Sequence, residues 1–69
     1  MDLEMIAIEV LKKMGGQTHS EGLLFVEVLN EYPQLVDYQL NIKKAISNLV
    51  KKGIIVHEKQ MPLWIRLNQ

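Results

Sequence analysis

The segment IKKAISNLVKKGII, residues 42–55, carries the strongest structural signal in this chain. Its apolar residues recur at intervals of three and four, which places them on one side of a helix: Ile42, Ala45, Ile46, Leu49 and Val50. Gly53 predicts the end of that helix, because glycine adopts the left-handed conformation of a helix C-terminus without strain. The segment therefore predicts an amphipathic helix that leads directly into an extended chain.

The opposite side of this predicted helix is polar and contains no acidic residue. Its central residues recur at i, i+3, i+4 and i+7, with Asn41 and Lys43 on the flanks: Lys44, Ser47, Asn48 and Lys51. All four are residue types that bind phosphates or base edges in nucleic acids. A helix side that merely faces solvent has the same polarity. The polar side alone is therefore consistent both with a solvent-exposed surface and with a nucleic-acid contact.

The chain after this helix predicts a two-stranded β-hairpin. Residues 54–57, Ile-Ile-Val-His, are rich in β-branched side chains, and residues 59–62 form the loop. Residues 63–67 alternate, which predicts Leu63, Ile65 and Leu67 on one face and Trp64 and Arg66 on the other. Because an isolated hairpin is marginally stable in water, its apolar face is expected to pack on the helices.

A first helix is predicted near the start of the chain. Asp2 is a candidate N-cap, and the pair Gly15 and Gly16 is expected to stop the helix. Between them, apolar residues follow at helical spacing: Leu3, Ile6, Ala7, Val10, Leu11 and Met14.

A second helix is predicted between the first helix and the amphipathic helix. Thr18 and Glu21 have the spacing of a capping box, so the helix is expected to start there and to run to about Glu31. Pro33 ends it, and Asp37 is a candidate cap for the third helix. The residues that this second helix is expected to bury are Leu24, Phe25, Val28 and Leu29.

The predicted fold is α+β, with three helices around one core and a C-terminal two-stranded hairpin, all in a single domain over residues 1–69. With 69 residues, 48% of them apolar, the chain suffices for one small core, and the absence of cysteine excludes disulfides and thiolate metal sites. No apolar run is long enough for a membrane span. We expect a soluble intracellular domain, cytoplasmic or nuclear, which is either a small protein or a module of a larger one.

Charge is distributed unevenly although the formal net charge is zero. Residues 1–37 hold seven acidic residues and two lysines, whereas residues 38–69 hold six basic residues and one glutamate. The two parts therefore carry net charges of −5 and +5. Such asymmetry favours an electrostatic partner for the basic part, with nucleic acid as the first candidate.

Three helices followed by a hairpin resemble the winged-helix DNA-binding domains, in which the last helix and the hairpin, called the wing, approach nucleic acid together. The segment Leu49-Val50-Lys51-Lys52-Gly53-Ile54 resembles the junction between recognition helix and wing in that superfamily. The resemblance covers the whole chain in layout and about residues 40–67 in motif. It implies a small DNA-binding, transcription-regulatory protein.

A narrower resemblance is to the Z-alpha family, winged helices that bind left-handed DNA and RNA. Pro62, Leu63 and Trp64 match that family's Pro-Pro-Leu-Trp stretch, in which the first proline is replaced here by Met61. Lys43 stands where the family has its phosphate-binding asparagine, and Ser47 stands where it has the tyrosine that stacks on guanine. Because the hairpin stretch matches but these two contact positions differ, binding of left-handed nucleic acid is kept as an alternative to binding of right-handed DNA.

The resemblance assigns a role to each candidate contact residue. Helix residues Lys44, Ser47, Asn48 and Lys51 are expected to enter the major groove of double-stranded DNA, while Lys43 and Lys52 contact flanking phosphates. The hairpin residues expected to lie on the backbone or minor groove are Lys59, Pro62, Trp64 and Arg66. The acidic part of the chain is expected to face away from the nucleic acid.

The sequence also bears on two other classes of function, catalysis and protein–protein interaction. His19 and His57 have no metal-ligand spacing, and no catalytic spacing is found, so neither an enzyme nor a cofactor is expected. The acidic surface of the first two helices could instead bind a basic protein or the basic part of a second copy. A protein-interaction module or homodimer is thus the competing interpretation.

Overall fold

Three α-helices and three short strands make up the described part of the chain, residues 2–68 of the computed structural model. The elements are α1 (Leu3–Lys13), β1 (Gln17–Thr18), α2 (Glu21–Glu31), a 3₁₀ helix (Pro33–Tyr38), α3 (Gln39–Lys51), β2 (Ile55–His57) and β3 (Ile65–Leu67). The strands form one antiparallel sheet. The α+β class is confirmed, and the layout is compatible with a winged-helix core and a β-hairpin wing.

Helix α1 begins and ends as its sequence predicts. The Asp2 carboxylate accepts the backbone N–H groups of Glu4 and Met5, at 3.1 and 3.2 Å. At the other end Gly15 has a φ of +90°, and the Gly16 N–H donates to the Leu11 carbonyl at 2.9 Å. This is a Schellman-type termination, in which glycine allows the chain to reverse after the last turn.

The predicted cap of α2 is wrong by two residues. The Ser20 hydroxyl, not that of Thr18, accepts a backbone N–H at the helix start, from Leu23 at 3.1 Å. Thr18 is instead buried in β1, where it pairs with Ile65 of β3. Both residues have a hydroxyl suited to capping, and pairing with a distant strand determines which one is used.

The predicted cap of α3 is also wrong. Asp37 lies within the 3₁₀ helix Pro33–Tyr38, which runs directly into α3, and no side chain of residues 2–68 caps the α3 N-terminus. The 3₁₀ helix contributes Leu35 to the core with only 1% of its surface exposed. Burial of that leucine, rather than a polar cap, therefore accounts for the way the chain enters α3.

The end of α3 follows the prediction. Gly53 has a φ of +76°, and the Ile54 N–H donates to the Leu49 carbonyl at 3.0 Å. The chain leaves the helix through this turn and enters β2 two residues later. The glycine therefore sets the angle between α3 and the hairpin, residues 55–67.

The sheet contains one strand more than the predicted hairpin. Its order is β1-β3-β2, and β3 pairs with both neighbours, so that Arg66 lies opposite Gln17 on one side and Val56 on the other. The strand β1 is too short to be recognised from alternation, which needs about four residues. It joins the hairpin to the segment between α1 and α2.

The predicted burial of Leu63 is wrong. Residues 61–64 form a turn in which the Trp64 N–H donates to the Met61 carbonyl at 2.9 Å, and β3 begins only at Ile65. The Leu63 side chain is 75% exposed. The alternation of apolar and polar residues over residues 63–67 is therefore longer than strand β3 itself, which covers only Ile65–Leu67.

The core lies between the three helices and the inner face of the sheet. Helix α3 contributes four buried residues, all among those predicted: Ile42, Ala45, Ile46 and Leu49. The other buried apolar residues are Ala7, Val10, Leu11, Leu24, Val28, Leu35, Ile55 and Ile65. Phe25 and Leu29, which were expected to be buried, are half-buried at the edge of this core. Within residues 2–68, no helix combines the length and apolar character that crossing a bilayer requires.

Candidate nucleic-acid interface

The outer side of α3 carries the central residues of the predicted contact surface. Since the buried residues occupy one side of the helix, Lys44, Ser47, Asn48 and Lys51 lie away from the core. The two lysines and the asparagine are exposed, and Ser47 is half-buried. Helix α3 contains no aspartate or glutamate, so no carboxylate of its own helix offsets these positive charges.

Lys43 lies on the flank of α3 that faces α2. Its ammonium group is 5.1 Å from the centre of the Phe25 ring, within the range of a cation–π interaction. The two side chains border a shallow apolar cleft together with Glu21, Gly22 and Ile46. The contact orients Lys43 without neutralising it, so its charge remains available on this flank.

Two acidic residues at the start of α1, the N-cap Asp2 and Glu4 in the first turn, lie beside the other flank of α3. The Lys52 ammonium group pairs with the Glu4 carboxylate at 2.8 Å. A shallow groove between the two helices is lined by Asp2 and Glu4 on one side and by Lys44 and Asn48 on the other. The expectation that the acidic part faces away from the contact surface is therefore wrong for these two residues.

On the hairpin, Arg66 also has an acidic partner. Its guanidinium group pairs with the Glu58 carboxylate at 2.5 Å and donates to the Leu67 carbonyl at 3.2 Å. Register places Arg66 on the same face of the sheet as Val56 and Gln17, which is opposite to the core face of Ile65. Arg66 is thus on the outer face as predicted, but it is already engaged within the chain.

Trp64 packs against His19, a contact that the sequence did not indicate. The ring centres are 4.1 Å apart and the planes are tilted by 49°. Because Thr18 pairs with Ile65, continuing that register by one residue brings His19 opposite Trp64. The indole is half-buried by this contact, whereas the neighbouring Pro62 is exposed.

His57 links the hairpin loop to α2, and sequence reasoning did not give it a role. Its Nδ1 lies 2.6 Å from the Pro62 carbonyl oxygen, and its Nε2 lies 2.9 Å from a Glu21 carboxylate oxygen. One imidazole therefore bridges the loop and the first residue of α2. The bridge positions Pro62 and the residues around it relative to the helices.

The predicted basic residues fall into two groups. Lys52 and Arg66 form ion pairs with carboxylates, as described above. Within residues 2–68, no ion pair is found for the other four: Lys43, Lys44, Lys51 and Lys59. Three of these four lie on α3, and Lys59 is exposed in the hairpin loop. Four cations of the predicted surface therefore have no acidic partner in the part of the chain that the structure describes.

Leu40 is a further exposed residue of this surface that sequence reasoning missed. Its side chain is 73% exposed in the first turn of α3. It precedes Lys44 by four residues and Ser47 by seven, so helical spacing places all three on one side. This spacing could have predicted that Leu40 belongs to the surface. The prediction included only polar residues, and Leu40 is apolar.

No group of three or more potential metal-ligating side chains comes together among residues 2–68. The chain matches no protein-family model, no curated protein and no solved structure in the three corresponding comparisons.

Proposed function

We propose that this chain is a winged-helix protein that binds double-stranded DNA through α3 and the hairpin, as a small transcription regulator. The observation that carries the proposal is the set of four lysines that have no acidic partner within residues 2–68, three of them on a helix that has no acidic residue. The fold layout is compatible with such a role, since α3 and the hairpin are consecutive and share the Gly53 turn.

In this proposal α3 lies in the major groove with its outer side toward the bases. Asn48 faces base edges, whereas Lys44 and Lys51, the latter near the end of the helix, contact phosphates. Lys43 contacts phosphates on the α2 side, where its position over Phe25 holds it. The hairpin loop, with Lys59 and Pro62, lies along the backbone next to the helix.

The salt dependence of duplex binding tests the proposal. If Lys43, Lys44, Lys51 and Lys59 neutralise about four phosphates, log K should fall with log salt at a slope of about −3.6. Binding of a fluorescent random duplex, measured by anisotropy over a series of salt concentrations, gives this slope. No detectable binding at ~50 mM salt, with the protein folded by circular dichroism, would remove the proposed function.

The same titration on an alternating CG duplex decides between right-handed and left-handed DNA. With Lys43 and Ser47 at the positions of the Z-alpha asparagine and tyrosine, we expect the circular dichroism of this duplex to remain right-handed. Inversion of the long-wavelength bands at stoichiometric protein would instead assign the chain to left-handed binding.

Removing the acidic partner of Arg66 should strengthen binding. In the Glu58→Gln variant the guanidinium group loses its ion pair and can contact a phosphate, and one negative charge near the duplex is removed. We expect a slope steeper by about 0.9 and an affinity several-fold higher at ~0.1 M salt. The same anisotropy titration measures both quantities.

Glu31→Gln is the matched control for this variant. It removes the same charge and breaks an ion pair, with Lys13 at 3.4 Å, but both partners of that pair lie outside α3 and the hairpin. Its slope should equal that of the unmodified protein. Equal slopes for Glu58→Gln and Glu31→Gln would show that Arg66 does not reach the duplex.

A further inference from the structure

The start of α3 exposes uncharged side chains, one apolar and two amides. Attraction between lysines and phosphates gives these side chains no role in DNA binding. Leu40 is 73% exposed although it lies on a helix whose other leucine is fully buried. Gln39 and Asn41, its direct neighbours, are exposed as well, and Asn48 is exposed two turns further along. The first turn of a recognition helix is the part that reaches base edges.

These side chains have the chemistry of A·T base pairs. The amide NH2 group of asparagine or glutamine can donate to adenine N7, and its amide oxygen can accept from adenine N6–H. The two bonds together identify adenine in the major groove. An apolar side chain makes contact with the C5 methyl group of thymine, which cytosine lacks. Guanine is most often contacted by arginine or lysine. Helix α3 contains no arginine, and the proposed complex places its lysines on phosphates.

We propose that the first turn of α3 reads A·T base pairs in the major groove, with Leu40 in contact with a thymine methyl group. This inference rests on the proposed DNA-binding function and names the class of target sequence. Lys44, one turn after Leu40, anchors the helix beside it, and the amide of Asn41 or Asn48 bonds the adenine edge. Leu40 is then a specificity-determining residue whose exposure is explained by its ligand.

Replacing thymine by uracil tests this assignment directly, because it removes only the methyl group. The unmodified protein is titrated with duplexes that have random A·T, A·U or G·C cores inside the same flanks. We expect the A·T duplexes to bind about tenfold or more tightly than the G·C duplexes. Binding to A·U duplexes should be about fourfold weaker than to A·T duplexes, the factor for one buried methyl group.

Leu40→Ala and Leu63→Ala form a matched pair of variants. Both remove an exposed leucine side chain, with exposures of 73% and 75%, so neither is expected to disturb the core. Leu40→Ala should bind A·T and A·U duplexes equally, whereas Leu63→Ala should keep the fourfold preference.

Two contrary outcomes are distinguishable. Binding to all duplexes with no difference between thymine and uracil, or a difference that survives in Leu40→Ala, would overturn the assignment and leave the proposed function in place. Absence of binding to every duplex would overturn both.

Discussion

Leu49→Ala is expected to lower the free energy of unfolding by about 2–5 kcal/mol, because it removes a buried side chain and leaves a cavity. Leu49 is fully buried, and its carbonyl also accepts the Ile54 N–H that ends α3. The side chain is part of the cluster that joins α1, α2 and the sheet to α3. A domain of 69 residues has a stability comparable to this loss, so the variant should be largely destabilised.

Urea denaturation followed by circular dichroism measures this loss. Ser47→Ala, two residues earlier on the outer side of α3, is the control and should change the free energy of unfolding by less than about 0.5 kcal/mol. Similar losses for Leu49→Ala and Ser47→Ala would contradict the orientation of α3, and with it the position of the whole contact surface.

The double substitution Lys44→Ala and Lys51→Ala is expected to have the largest effect on DNA binding. Each lysine is exposed on the outer side of α3 and has no ion pair with any described residue, so each should contribute about 0.9 to the salt slope. The slope should fall from about −3.6 to about −1.8, and affinity at ~0.1 M salt should fall about a hundredfold. The loss should be similar for all duplex sequences if both ammonium groups contact phosphates.

Lys12→Ala with Lys13→Ala is the control, since it removes the same net charge from the end of α1. Stability should be nearly unchanged in both variants because all four side chains are exposed. If the α3 variant and the α1 variant bind equally well, α3 does not meet the duplex. The exposed apolar residues of α2, Leu23 and Val26, then become the first surface to test for a protein partner.

The ion pairs of the basic part suggest how affinity is restrained in this proposal. Glu4 and Glu58 each hold a cation that would otherwise add to phosphate binding. Exposed pairs of this kind contribute little to stability, typically about 0–1 kcal/mol. Their main consequence is therefore electrostatic, because they lower the charge that a duplex meets.

The helices and most of the core could be predicted from the sequence, because the interactions that define them are local. Asp2 caps α1 by accepting a hydrogen bond from an amide only two residues away. Gly53 ends α3 through hydrogen bonds to the preceding turn. The spacing of Ile42, Ile46 and Leu49 places them on one side of α3 whatever packs against it. The outward position of Lys44 and Lys51 follows from the same periodicity.

The tertiary structure alone decided which polar groups have partners and where the short strands lie. Glu4 and Lys52 are 48 residues apart in sequence, and Glu21 and His57 are 36 apart. These pairs depend on how α1 and α2 pack against α3 and the hairpin, and no local spacing encodes that packing. The two-residue strand β1 likewise exists only through its pairing with β3, which places Thr18 in the sheet and His19 against Trp64. Contacts of this kind form only when distant segments meet, so periodicity and capping rules, which act within a few residues, cannot specify them.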